Sequence, residues 1–280
     1  MTEDTPDPMD RIKAVVDRRQ ARIDLHNHVR EDPQFKAAMG RIDRLIMDYG
    51  LGLTVIDLMA TRWPESFDRL ITLRVKQQFV ESMVAAGQAV KEGLHNPARR
   101  ELRFLLEASI KTLWLDSGSP PVNGVASLAA APGTVDEKIA ALDDLGKERF
   151  GEVIDSLGFQ LMDPAGAELY RQTANSLYGR LSTHVHISSG VISKDLKGFD
   201  KDRDFGFETI SDVNAMADLM RQVLDLALAS HFEAFDAGLV GDMFVALFDD
   251  MERWTFRKTP LVSAVSRRFD DKTERQARGQ

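Results

Sequence analysis

The chain has 280 residues, enough for one large domain or two small ones with a substantial buried core. Apolar residues make up 43% and charged residues 29%, no apolar run reaches the roughly 18 residues that mark a membrane span, and there is no cysteine for a disulfide, a zinc thiolate or a thiol nucleophile. A formal net charge of −8 argues against broad electrostatic capture of nucleic acid, DNA included, and leaves room only for a local basic cleft.

The chain opens on Met1-Thr-Glu-Asp-Thr-Pro-Asp-Pro8, an acidic, polar stretch that is the opposite of a signal peptide and points to a cytoplasmic protein without a membrane partner. Residues 9–31 follow as a helix with Ile12, Val15, Val16 and Ile23 as a sparse apolar face, stopped by Pro33. The spacing of Phe35, Met39, Ile42, Leu45, Ile46 and Tyr49 predicts a helix over 34–61, with a kink or break at Gly50 and Gly52. A long helix from Pro64 to Gly93 carries Leu70, Leu73, Phe79, Met83 and Val90 inward. Asn96-Pro97 reads as an N-cap and first-turn proline opening a helix from Ala98 to Asp116, with a stripe of Leu102, Leu105, Leu106, Ile110 and Leu113.

Residues 117–134 form a Gly/Pro/Ala-rich loop, and Thr134-Val-Asp-Glu137 is a capping box for a helix to about Leu145. A helix over 147–157 comes next, and Asp163-Pro164 opens another that runs through Leu169, Tyr170, Ala174, Leu177 and Leu181. A second long loop of mixed charge covers 187–208. Ser211-Asp212 caps a strongly apolar helix through Phe235, and residues 239–254 form the last helix. The fold class is therefore all-α, an antiparallel helical bundle with two long loops. Residues 1–96 read as N-terminal helices packing on a core of 97–260, and 261–280 as a basic, flexible tail, disordered from 270.

Two segments carry a local excess of positive charge. Between Arg99 and Lys111 there are four basic residues against two acidic ones, and from Arg253 onward eight against three. On the helix, Arg103, Glu107 and Lys111 stand at i, i+4 and i+8, on one face, widened by Arg100. A local salt bridge from Glu107 to Arg103 or Lys111 is one expectation. A partnership across the bundle with Arg180 or a histidine is the other. Arg100, Arg103 and Lys111 are the candidate RNA-binding residues.

The densest chemistry lies in Tyr178-Gly-Arg-Leu-Ser-Thr-His-Val-His186. Arginine presents a planar fork of donors to phosphate, and histidine exchanges protons near neutral pH. On a continuous helix Arg180 and His184 share a face, whereas His186 joins them only if the helix ends near 185. The candidate catalytic residues are Arg180, His186 as acid–base group, His184 as its reserve, and Glu107 as orienting carboxylate. A histidine-capped helix end beside a surface arginine is the plainer reading. Ser182 reads as a hydroxyl bonding back along its own helix.

Arg180 and His186 are separated by five residues, and this spacing resembles the Arg-x(4–6)-His signature of the HEPN-like helical superfamily. Arg103-Phe-Leu-Leu-Glu107 on the preceding helix, with Tyr178 through His186, is similar to its uncharacterised and abortive-infection-type branch, over roughly residues 97–235. The resemblance implies an all-helical, metal-independent RNA-cleaving or RNA-binding protein of a toxin or phage-defence system, without a cofactor, acting as a homodimer through the motif helices. Active ribonuclease members carry a polar residue directly after the arginine, where this chain has Leu181. The alternative is a non-catalytic helical binding or scaffold protein.

Asp24-Leu-His-Asn-His28 resembles the Asp-x-His-x-His strand motif of metal-dependent barrel hydrolases. It sits in a charged helical pattern, where alternate imidazoles point about 200° apart, so no metal site is expected. Trp254 and Phe256, among Arg253, Arg257 and Lys258, pack on the bundle or stack bases, and packing is the simpler expectation. No glycine-rich phosphate loop occurs.

Overall fold

The structure is a computed structural model that describes residues 7–117, 133–183 and 209–277, with side chains as far as 269. The described residues form twelve helices and no strand, an all-α bundle. Helix α1 (Pro8–Glu31) starts at the N-cap Asp7 and buries no side chain, so Ile12, Val15 and Val16 are exposed. Asp32-Pro33 ends α1 and begins α2 (Pro33–Ala60), with the Asp32 carboxylate accepting from the Gln34 N–H.

Helix α2 runs unbroken through Gly50 and Gly52, so no break falls there. Gly52 serves close approach instead. A Cβ there would stand 2.7 Å from Leu228 Cδ2, on the central helix that α2 crosses.

The long helix expected from Pro64 to Gly93 is three: α3 (Ser66–Arg69), α4 (Ile71–Arg74) and α5 (Lys76–Lys91). The first break is made from a distance. Leu70 is extended, and the carboxylate of Asp116 accepts from the N–H groups of Ile71 (3.0 Å) and Thr72 (2.9 Å) and from the Thr72 hydroxyl. Lys138 closes the cluster with a 2.8 Å ion pair to Asp116, the two side chains being 5% and 0% exposed. A remote carboxylate thus caps a helix that has no local cap.

Helix α6 (His95–Asp116) begins one residue before the expected cap. Gly93 ends α5 at φ 75°, and the Leu94 N–H reaches back to the Ala89 carbonyl, so the chain re-enters helix at His95. Asn96 accepts from Arg99 rather than capping. Helix α7 (Val135–Leu145) has the expected capping box at Thr134 and Glu137, and α8 (Phe150–Asp155) is shorter than 147–157. Helix α9 (Pro164–Ser182) starts at Asp163, whose carboxylate accepts from the Gly166 N–H.

Helix α10 (Ile210–Glu233) is capped by Thr209 with Asp212 in a reciprocal box, two residues before the expected Ser211. Its partner Thr209 has the extended backbone an N-cap requires. Helix α11 (Ala237–Met243) passes into a π turn over Phe244–Phe248 and ends there, short of 254. The segment expected as a tail is helix α12 (Pro260–Ala277), which buries Leu261, Val262, Ala264, Val265 and Phe269. The two long loops, 117–134 and 187–208, fall almost wholly outside the described residues.

Helix α10 is the centre: it is buried on every side from Val223 to Glu233 and packs on α2, α6, α9 and α12. Four of its buried residues are polar. Asp225 accepts from the Thr259 hydroxyl and the N–H groups of Leu261 and Val262, capping α12. Ser230 meets the Tyr170 hydroxyl of α9. His231 shares one 3.0 Å hydrogen bond with the Tyr49 hydroxyl, lies against Phe79, and keeps its Nδ1 unpartnered. Burial pushes its pKa down from 6.5 to about 3.

Asp116→Ala leaves Lys138 as a lone buried cation and two N–H groups without acceptors. Urea unfolding is expected to show a loss of about 3–5 kcal/mol, and adding Lys138→Met should recover part of it. A loss below about 1 kcal/mol contradicts the remote cap.

His231 is neutral in the folded chain down to about pH 3 and protonates near 6.5 when unfolded. Its contribution is complete above pH 6.5 and falls by up to about 1.4 kcal/mol per pH unit as pH drops toward 3. Asp225 and Glu233 work in the opposite direction, because burial raises their pKa values and their contribution is lost as pH rises through them. The stability advantage of the wild type over His231→Gln should therefore shrink on going from pH 6.5 to pH 4.5. An advantage that stays constant with pH is the contrary result.

Candidate functional site

Helix α9 packs on α6 and α10, and the motif at its C-terminal end touches both. On the α6 side the contact is made by Arg103. Its Nε donates to Glu107 Oε1 at 2.6 Å, and Nη2 donates to the Tyr178 hydroxyl at 3.2 Å. The guanidinium carbon lies 4.9 Å from the Tyr178 ring centre, and the same ring packs against Phe150 of α8. Arg103 and Glu107 are 15% and 28% exposed at their side chains, so this is an interior clamp between helices. The local salt bridge is thus the one formed. The motif residue that α6 reaches is Tyr178, not Arg180.

On the α10 side Arg180 is exposed, and its Nη1 donates to Gln222 Oε1 at 2.9 Å. Arg180 lines an open cleft of about 490 Å³ with Arg99 of α6, Gly179 and Thr183 of the α9 end, and Ala215, Met216 and Leu219 of α10. Met216 and Leu219 are buried and apolar, and Arg99 and Arg180 line the cleft with them. Gly179 has only open space where a Cβ would be, so the α9 backbone is bare at the cleft.

The helix ends earlier than the expected residue 185. Ser182 is its last residue, its hydroxyl donating to the Tyr178 carbonyl at 2.6 Å in the expected back-bond, and Thr183 bonds to the Arg180 carbonyl. His184 and His186 lie outside the described residues. Leu181 is fully buried, in line with Leu177, Ala174 and Tyr170. Arg100 is exposed on α6 and Lys111 is half-buried, and neither lines the cleft.

The other sequence candidates resolve by geometry. Asp24, His26 and His28 lie on the helix α1, and His26 contacts Arg30; burial, then that cation, lower its pKa. Among the described residues no three metal-ligating side chains are grouped. Trp254 and Phe256 are buried, the former stacked on Phe248 at 4.2 Å with its indole N–H on the Asp48 carbonyl. Arg99 was visible in the sequence only as one of a basic group. Gln222 and the α10 lining residues carry no sequence signal, because they read as ordinary positions on an apolar helix.

No protein-family model matches the chain, nor does any curated protein or solved structure.

Arg103→Ala removes a hydrogen bond and a cation–π contact from the α6–α9 interface and an ion pair within α6. It is expected to lower stability by about 2 kcal/mol, whereas Arg180→Ala should stay within about 0.5 kcal/mol. Equal melting temperatures for the two variants would show that the clamp is not structural.

Proposed function

We propose that this chain is a HEPN-like helical protein that holds single-stranded RNA at the C-terminal end of α9, with metal-independent cleavage as its reaction. The observation that supports this reading is the cleft, where Arg180 of the motif and Arg99 of the neighbouring helix face one open cavity with no carboxylate among its described lining residues. Arginine forks on two different helices suit phosphate oxygens, each fork offering several donors in a fixed plane.

In the proposed reaction the RNA 2′-hydroxyl attacks the adjacent phosphorus, its proton passing to a base and the departing 5′-oxygen taking one from an acid. His186 moves these protons, with His184 in reserve, and Arg180 stabilises charge on the phosphoryl oxygens. Glu107, committed to Arg103, acts on the motif through the Tyr178 contact. A homodimer through the motif helices and a role in a toxin or defence system belong to the same reading. The second reading, a non-catalytic binding or scaffold protein, is favoured by Leu181, which stands where active members carry a polar side chain, and by the net charge of −8.

Purified protein should cleave single-stranded RNA in the presence of a metal chelator. His186→Ala should lose roughly 10²-fold or more in rate, and Arg180→Lys should also fail, because lysine keeps the charge and loses the fork. Binding without cleavage by the wild type gives the second reading. Absence of both ends the RNA proposal.

A further inference from the structure

We propose that the outer face of α2, with Val84 of α5 beside it, is an interface between two copies of this chain, in which the two α2 helices lie antiparallel with Leu51 of each against Met47 of the other. The proposal stands apart from the RNA reading, because no described lining residue of the cleft belongs to α2 or α5 and the face is not that of the motif helices.

A helix with one side on a core carries polar and charged residues on the other. Helix α2 does not. Its inner side packs on α10 and α5 and buries Tyr49, Leu53 and Ile56. Yet between Leu45 and Ala60 its exposed positions are Met47, Leu51, Thr54 and Leu58, with no charge among them, and Met47 and Leu58 are 73% and 57% exposed. The acids of α2 that border this face are engaged within the chain. Asp43 pairs with Lys91 and Asp57 with Lys76, both on α5, and Asp48 accepts from the Thr255 N–H at 2.9 Å. The two ion pairs set α2 and α5 antiparallel, which brings the exposed Val84 level with Gly50.

The spacing and the charge of the face point to a second copy. Exposed positions of α2 run Gly40, Arg44, Met47, Leu51, Thr54, Leu58, in steps of four and three that read the same in either direction. Such a seam, turned end for end, falls on itself. Leu51 meets Met47, Leu58 meets Gly40, where a Cβ would find open space, and Arg44 meets Thr54, one turn before Asp57. Each Arg44 thus stands near an acid and a helix end that has no basic residue in its last turn. Two chains of net charge −8 repel, so contact favours a face whose acids are already neutralised, as they are here. About 27 Å of paired helix, at 1.5 Å per residue, is at the small end of specific interfaces, so the dimer is expected to be weak, about micromolar.

Sedimentation velocity on the full chain, over a range of concentrations at low and high salt, is expected to show a monomer–dimer equilibrium that tightens with salt as repulsion between the acidic copies is screened. Leu51→Glu and Leu58→Glu, both at exposed positions, should each weaken the dimer at least about tenfold and leave the melting temperature of the dilute protein unchanged. The chain has no cysteine, so Gly50→Cys supplies a single thiol beside the seam, with open space around the new Cβ. A short bis-maleimide should link two copies of this variant and should not link Gly179→Cys, which marks the motif helices. A dimer that weakens with salt, that both glutamate variants leave intact, or that is linked only through position 179 overturns the inference and leaves the proposed homodimer of the motif helices standing. A chain that stays monomeric at every concentration overturns both, and the face then belongs to another segment of this chain or to a different protein.

Discussion

The position of Arg180 is decided at the other end of its helix, by a carboxylate on α10. Glu233 is buried, and its two oxygens collect the backbone N–H groups of Gln160, Leu161 and Met162. Those residues lead directly into Asp163, the N-cap of α9. The Gln160 amide closes the junction by donating to the carbonyls of Glu233 and Phe235. Burial raises the pKa of Glu233, and the three N–H donors and Arg268 oppose that shift. Without those donors a carboxylate at this depth would be strongly unfavourable, so the loop and the carboxylate require each other. Once the junction is fixed, the first turn of α9 is fixed, and with it the direction of every side chain along the helix.

That register explains the order of residues in the motif. Tyr170, Ala174, Leu177 and Leu181 fall on the buried side. Tyr178, one step round from Leu177, faces α6 and receives Arg103. Arg180 falls outward beside α10 and receives Gln222. In this register residue 181 sits in the core, where Leu181 is fully buried. It follows that no acid–base group can enter the cleft from the described turns of α9. The proposed reaction must draw its histidine from beyond Ser182, where His184 and His186 stand in the sequence.

The local signals in the sequence translated directly into structure. Asp32-Pro33, the Thr134 capping box and Asp163-Pro164 each begin a helix where they stand, because cap and capped N–H are within three residues of one another. What sequence reading missed depends on partners far along the chain. The break before Ile71 is made by Asp116, the need for glycine at 52 by Leu228, and the helix at 260–277 by Asp225. The candidate site divides in the same way. Arg180 stands out by motif and Arg99 by local charge, but Ala215, Met216 and Leu219 belong to α10, and only the packing of α6 and α9 against α10 brings them to the two arginines.

Charge balance bears on how such a cleft could hold its ligand. The chain carries −8 overall, and this field works against the approach of a polyanion, most strongly at low salt. Within a Debye length of about 8 Å at physiological ionic strength, a phosphate in the cleft responds mainly to the groups beside it. Two guanidinium groups release few counterions, far fewer than the extended basic tracks of proteins that bind strands by charge alone. Binding at this site therefore cannot rest on phosphate contacts only. On the proposed RNA reading, the acidic surface discourages indiscriminate backbone binding, and affinity has to come from groups beside the bound strand.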